Sequence, residues 1–385
     1  VPALCLLLVA LVACGGRPDA EAVRADVQRV LDRRAEALLD RDERALARTG
    51  ARAGYDNLRA VPLADWAYRV KDVRRSGDTV TADTELRYRV RGVDRAPVTT
   101  ARTLRLSRDA DGRWSVDRDR PAGKSAQQLW DQGPVRAVHG RHSLVLGVGQ
   151  SREVLERFAG LADRAVPAVS DAWRTEWSRH VVVLVPGSLE GMAGLLGSPA
   201  SSYRGIAAVT TGETGARETA PADRIVVNPD AYGALGSVGR QVVLTHETTH
   251  VATRAHTTPA TPLWLSEGYA DWVGYRGTGR TPQQAAPELA AAVTEGRLPT
   301  GLPEDGDFGF DGDANALALA YESGWTACRM IAGRWGEERL GAFYRAVGGH
   351  GKRAGAVEDA LRQVLGTTPE DFTAEWRDYL RSEFG

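Results

Sequence analysis

Cysteine is scarce in this chain: 385 residues hold three, at Cys5, Cys14 and Cys328. A disulfide framework is therefore excluded as the source of its stability. Net charge is missing as well, since 49 Lys and Arg stand against 50 Asp and Glu. Without a basic excess there is no electrostatic case for a nucleic-acid partner. Lysine occurs only as Lys71, Lys124 and Lys352, so the positive charge is almost all arginine. With abundant Ala, Gly and Asp, that bias points to a GC-rich genome and carries no functional content. Beyond the first residues, no segment approaches the roughly 20 apolar residues that a membrane-spanning helix needs. No internal repeat is visible. The length leaves room for two domains, or one large one, with a real core.

The first residues, VPALCLLLVALVACGG, form an apolar run from Ala3 to Ala13 that ends in small residues. It is too short to span a bilayer comfortably and suits the apolar region of a signal peptide. Leu11-Val12-Ala13-Cys14 resembles the bacterial lipobox, in which the cysteine is lipidated and opens the mature protein. Residues 1–13 are thus expected to be a lipoprotein signal peptide and Cys14 the lipidation site. The resemblance implies an exported protein, lipid-anchored to the cell membrane on its extracytoplasmic face. Cys5 would leave with the signal, so Cys328 alone would remain as a thiol and no intrachain disulfide could form.

Asp19 to Arg48 is expected to form one helix, because Val23, Val27, Val30, Leu31, Ala35, Leu38 and Leu39 recur near the helical period. From Trp66 the pattern changes to alternation, with turns at Ser76-Gly77-Asp78 and at Asp109 to Gly112. One helix followed by a curled antiparallel sheet resembles the NTF2-like (cystatin-like) α+β domain, over residues 19–120. No acid/base pair stands out there, which favours a binding or spacer role. Residues 121–133 read as a linker. Residues 134–385 read as a second domain: strands in VRAVHGRHSLVLGVG, HVVVLVP, RGIAAVTTGE and DRIVVNPD, a helix capped by Ser151, and a helix opened by Ser237 as N-cap.

The chemistry concentrates in LTHETTHVATRAHTTPATPLWLSEGYADW, Leu244 to Trp272. His246 and His250 are about one helical turn apart, so both imidazoles project from one face within reach of one metal ion. Glu247 is displaced around the helix and can hold a water instead of the metal. This is the HExxH arrangement of zinc peptidases. Two histidines leave a tetrahedral ion short of a protein ligand. Glu267, separated from His250 by sixteen intervening residues and lying on an apolar second helix, is the candidate third ligand. Asp271, one turn after Glu267, is the candidate partner for the other ring nitrogen of a ligand histidine, His246 in particular. His256 falls in the intervening loop and is left out of the cluster.

HETTH followed by LSEGYADW resembles the gluzincin zinc metallopeptidases, the peptidase MA-like clan. The resemblance implies one zinc ion held by His246, His250 and Glu267, Glu247 as general base, and Asp271 orienting a ligand histidine. The spacing between the second and third ligands is slightly shorter here than in the best-known members, as a shorter interhelical loop would produce. It also implies a later tyrosine that donates to the oxyanion, for which Tyr321 is the candidate. An edge strand pairing with the substrate backbone would be RGIAAVTTG. The expected architecture is α+β overall: an N-terminal helix plus curled antiparallel sheet, then a zincin-type domain with a small sheet, the HExxH helix and a helical C-terminal half. The expected activity is hydrolysis of peptide bonds in a peptide or protein substrate through a zinc-bound water. The alternative is a catalytically inactive zincin-fold binding lipoprotein, and a non-peptide amide would need the same centre.

Overall fold

The computed structural model describes residues 17–51, 53–212, 220–309 and 313–385. The expected signal peptide and Cys14 lie outside the described residues. The chain is α+β and divides into two compact units. The first holds the described residues through Asp56 with Leu63–Tyr88 and Thr99–Ser125; the second holds Asn57–Pro62, Arg89–Val98 and Ala126–Gly385. Among the described residues no helix is long and apolar enough to cross a membrane.

In the first unit helix α1 (Arg17–Leu39) precedes two short helices, α2 (Glu43–Ala47) and α3 (Ala53–Leu58). A four-stranded sheet follows, in the order β1 (Leu63–Ser76), β2 (Thr79–Val90), β3 (Val98–Arg108) and β4 (Trp114–Pro121). The apolar face of α1, with Val27 and Leu31 fully buried, packs on β1. The single helix expected over Asp19–Arg48 is two helices. Arg41 takes a left-handed conformation (φ 56°), and the Asp42 carboxylate accepts the N–H groups of Arg44 and Ala45 to start α2. Periodicity cannot show such a break, because an aspartate caps as readily as it sits on a solvated face.

The second unit is built on a five-stranded sheet in the order β5-β6-β7-β9-β8. These strands are β5 (Val135–His139), β6 (Ser143–Val148), β7 (Val181–Val185), β8 (Ala208–Thr211) and β9 (Arg224–Val227). Strands β6, β7 and β9 run parallel, whereas β8 lies antiparallel to β9 at one edge. Strand β6 is buried along its whole length, as an interior parallel strand must be. Helix α4 (Arg152–Trp173) starts at Ser151, whose Oγ accepts the Val154 N–H. The short helices α5 (Leu189–Leu196) and α6 (Pro229–Ala234) flank β8 and β9 in sequence.

Helix α7 (Ser237–Thr253) packs on α4 and on β8. Its N-cap is Gly236, so Ser237 is the first helical residue and not the cap. Val242, Val243, Thr245, Thr248, Thr249 and Thr253 are poor helix formers, so tertiary packing holds this helix. The buried hydroxyls of Thr245, Thr248 and Thr249 are satisfied by carbonyls one turn back, at 2.8, 2.7 and 2.8 Å.

Helix α8 (Leu263–Tyr275) begins after Pro262, and the Asp305 carboxylate accepts the Leu263 N–H at 2.9 Å. The rest of the unit is helical: α9 (Pro282–Ala285), α10 (Pro287–Thr294), α11 (Ala314–Trp335), α12 (Glu337–Gly348), α13 (Ala356–Ala360) and α14 (Pro369–Phe384). Helix α14 starts as its sequence indicates, with Thr368 Oγ1 accepting the Asp371 N–H and Pro369 at the first position. Trp173, Tyr269 and Tyr344 pack edge-on or tilted at 5.2 to 5.6 Å in the core of this half.

Two glycines set how closely α8 and α11 approach. A methyl group on Gly268 would lie 2.3 Å from the backbone carbonyl of Gly324, and one on Gly324 would lie 2.6 Å from the Trp264 carbonyl oxygen. Backbone atoms cannot yield as a flexible side chain can. Gly268→Ala should therefore destabilise the protein by about 1–3 kcal/mol or more. Helix propensity alone would predict a gain of about 1 kcal/mol. Gly333→Ala, later in α11 and with open space around it, should show that gain. Urea unfolding of the two variants checks the opposite signs.

Candidate metal centre

His246 and His250 project from α7 toward α8, where Glu267 meets them. His246 Nε2 lies 3.0 Å from His250 Nε2 and 3.2 Å from Glu267 Oε2, and His250 Nε2 lies 3.3 Å from the same oxygen. Three ligand atoms thus form a nearly equilateral triangle. A tetrahedral ion with bonds of about 2.0–2.1 Å places its ligand atoms about 3.3–3.4 Å apart. The triangle fits such an ion, and His246, His250 and Glu267 could hold one.

The fourth residue of the arrangement is Asp271, one turn beyond Glu267. Its Oδ1 is 2.7 Å from His246 Nδ1. A neutral His246 that donates Nδ1–H to Asp271 has its lone pair on Nε2, directed into the triangle. Electrostatics favour positive charge at this corner. Burial opposes a charged His246, but Asp271 and Glu267 outweigh it and raise its pKa well above the ordinary imidazole value. Burial also opposes a charged Glu267, yet His250 and His246 outweigh it and hold the carboxyl far below the usual range. The corner attracts positive charge, and a proton and a metal ion compete for it.

Glu247 sits beside these ligands, 7% exposed. Its Oε2 accepts a hydrogen bond from Thr210 Oγ1 on β8 at 2.6 Å. Glu247, His246, His250 and Glu267 open onto one cleft of about 770 Å³. Strand β8 contributes Ala208, Val209 and Thr210 to one wall. A second wall is apolar, with Leu263, Phe308, Leu317 and Ala318. Tyr321 lies on that wall, its ring 6.5 Å from the His246 ring and edge-on to Phe308 at 5.2 Å. Burial, reinforced by Glu267, Asp271 and Glu247, pushes its phenol far above the ordinary value, so it remains a donor at physiological pH.

No family model and no curated protein sequence matches this chain. Among solved structures, native yeast LTA4 hydrolase is similar at a TM-score of 0.39 and 13% identity, over 73% of this chain and 44% of that one. The chain therefore spans less than half the length of that structure. A likeness this loose decides nothing about activity, and the site stands on its own geometry.

The structure thus brings His246, Glu247, His250, Glu267, Asp271 and Tyr321 to one cleft or its immediate support. His256 lies apart, its ring edge-on to Trp173 at 5.6 Å. Sequence reasoning missed three cleft residues. Thr210 carries no signal beyond its place in a strand. Arg254 follows His250 by one turn and was findable from the helical period; it donates to Asp223 Oδ2 at 2.9 Å. Phe308 closes a single 3-10 turn, Asp305–Phe308, too short for any periodicity to flag it.

Proposed function

We propose that this protein is a zinc metallopeptidase that is exported and lipid-anchored through Cys14. The observation that carries the catalytic part is the triangle of His246, His250 and Glu267 beside a buried, hydrogen-bonded Glu247. Two imidazoles and one carboxylate are the donor set of a catalytic zinc site. Zinc held there would supply Lewis acidity, lowering the pKa of water and polarising a carbonyl.

The protein's own groups do the remaining work. Glu247 takes a proton from the attacking water and passes it to the leaving amine. Tyr321, protonated, donates to the oxyanion. Asp271 holds the His246 tautomer that presents Nε2 to the metal. Strand β8, the edge of its sheet among the described residues, offers backbone N–H and C=O groups for pairing with an extended peptide. The apolar run Ala3–Ala13 and the lipobox-like Leu11–Cys14 support the anchored location.

The test is metal analysis joined to cleavage of a proteome-derived peptide pool. Protein purified without chelator should carry one zinc per chain and cleave peptides, lose both on chelation, and regain both with zinc. Zinc without cleavage would favour an inactive binding protein, against which the intact Glu247 weighs. Cleavage that survives complete removal of metal would sink the proposal.

A further inference from the structure

The carboxylate of Glu247 is held by more than its own helix. At 7% exposure it needs a donor from the protein. Thr210 supplies one from the edge strand, 37 residues away in sequence. Its Oγ1 is 2.6 Å from Glu247 Oε2 and 3.0 Å from the Glu247 carbonyl oxygen. A hydroxyl has one proton to give. The Oε2 contact is the shorter of the two, so the side-chain carboxyl oxygen receives it. A β-branched residue has a stiff χ1, so the strand backbone dictates where this hydroxyl points. That backbone is itself set by pairing with β9, Thr210 opposite Ile225 and Val209 opposite Val226.

We infer that Thr210 is a positioning residue for Glu247. Its hydroxyl clamps Oε2 and leaves Oε1 as the oxygen available to water. The same bond registers the edge strand, where a peptide would pair, against the base that serves the scissile bond. This rests on the reading of Glu247 as general base. Thr211, the next residue, illustrates the selectivity of the placement: its hydroxyl donates to the Arg224 carbonyl at 3.3 Å.

Thr210→Val keeps the shape and removes the donor. The full-length zinc-loaded variant should lose on the order of 10- to 100-fold in kcat, with KM and zinc content unchanged. Thr210→Ser should restore most of the loss. A second readout needs no activity: the carboxyl ¹³C resonance of Glu247 in metal-free protein, assigned by its absence in Glu247→Gln. It should move in Thr210→Val and return in Thr210→Ser. Wild-type kcat in the Val variant, or an unmoved resonance, overturns the inference. If the Val variant does not fold, a folded, zinc-loaded Ser variant with a large loss in kcat overturns it, and near-wild-type kcat with an unmoved resonance supports it. Should the wild type cleave nothing, the general-base reading fails while the resonance still decides whether the clamp exists.

Discussion

Glu247→Gln is expected to cut peptide cleavage by orders of magnitude while leaving the metal in place. Glutamine has nearly the shape of glutamate, and its carbonyl oxygen can still accept the Thr210 hydroxyl that now meets Oε2 at 2.6 Å. What it cannot do is take a proton. General acid–base catalysis contributes roughly 10²–10⁴-fold, so kcat should fall by about that factor. Substrate binding does not use this proton transfer, so KM should change little and the loss should appear in kcat and kcat/KM together. His246, His250 and Glu267 are untouched, and zinc content by elemental analysis should stay at the wild-type level. Equal cleavage by wild type and variant would assign the activity to a contaminant or to another group.

Glu267→Ala should have the second large effect, on the metal itself. It removes one corner of the triangle and leaves two imidazoles, whose Nε2 atoms are 3.0 Å apart, without the carboxylate that faces both. Outer partners of metal ligands are worth about 10–100-fold in affinity, and a direct ligand should be worth more than about 100-fold. Asp271→Ala is the informative comparison. Asp271 touches His246 on Nδ1, away from the triangle, so its loss should weaken zinc binding only within that 10–100-fold range. Competition against a chromophoric chelator measures both variants on one scale. If the two variants were equally impaired, Asp271 would have to be a ligand; if Glu267→Ala bound zinc like wild type, the proposed site would be wrong.

Both experiments probe groups that could be named from the sequence, and the reason is local. The i, i+4 spacing of His246 and His250 fixes their common face through helix geometry alone. Glu267 and Asp271 repeat that logic on the next helix. Turn and cap chemistry was legible in the same way at Ser151 and Thr368. It was misleading where a residue has two local uses, as Asp42 shows by opening α2 where a solvated position within one helix was expected.

The sequence by itself determined which side chains share a helix face, the order of the strands and of the helices that carry the site, and the type of chemistry the donor set could support. These follow from backbone periods of a few residues. Only the tertiary structure decided that two separate helices bring three ligand atoms within 3.3 Å, that Gly268 lies against Gly324, and that Thr210 reaches Glu247. Those contacts join residues far apart in the chain. No local period encodes them, because they are set by how the helices and the edge strand pack around a shared core.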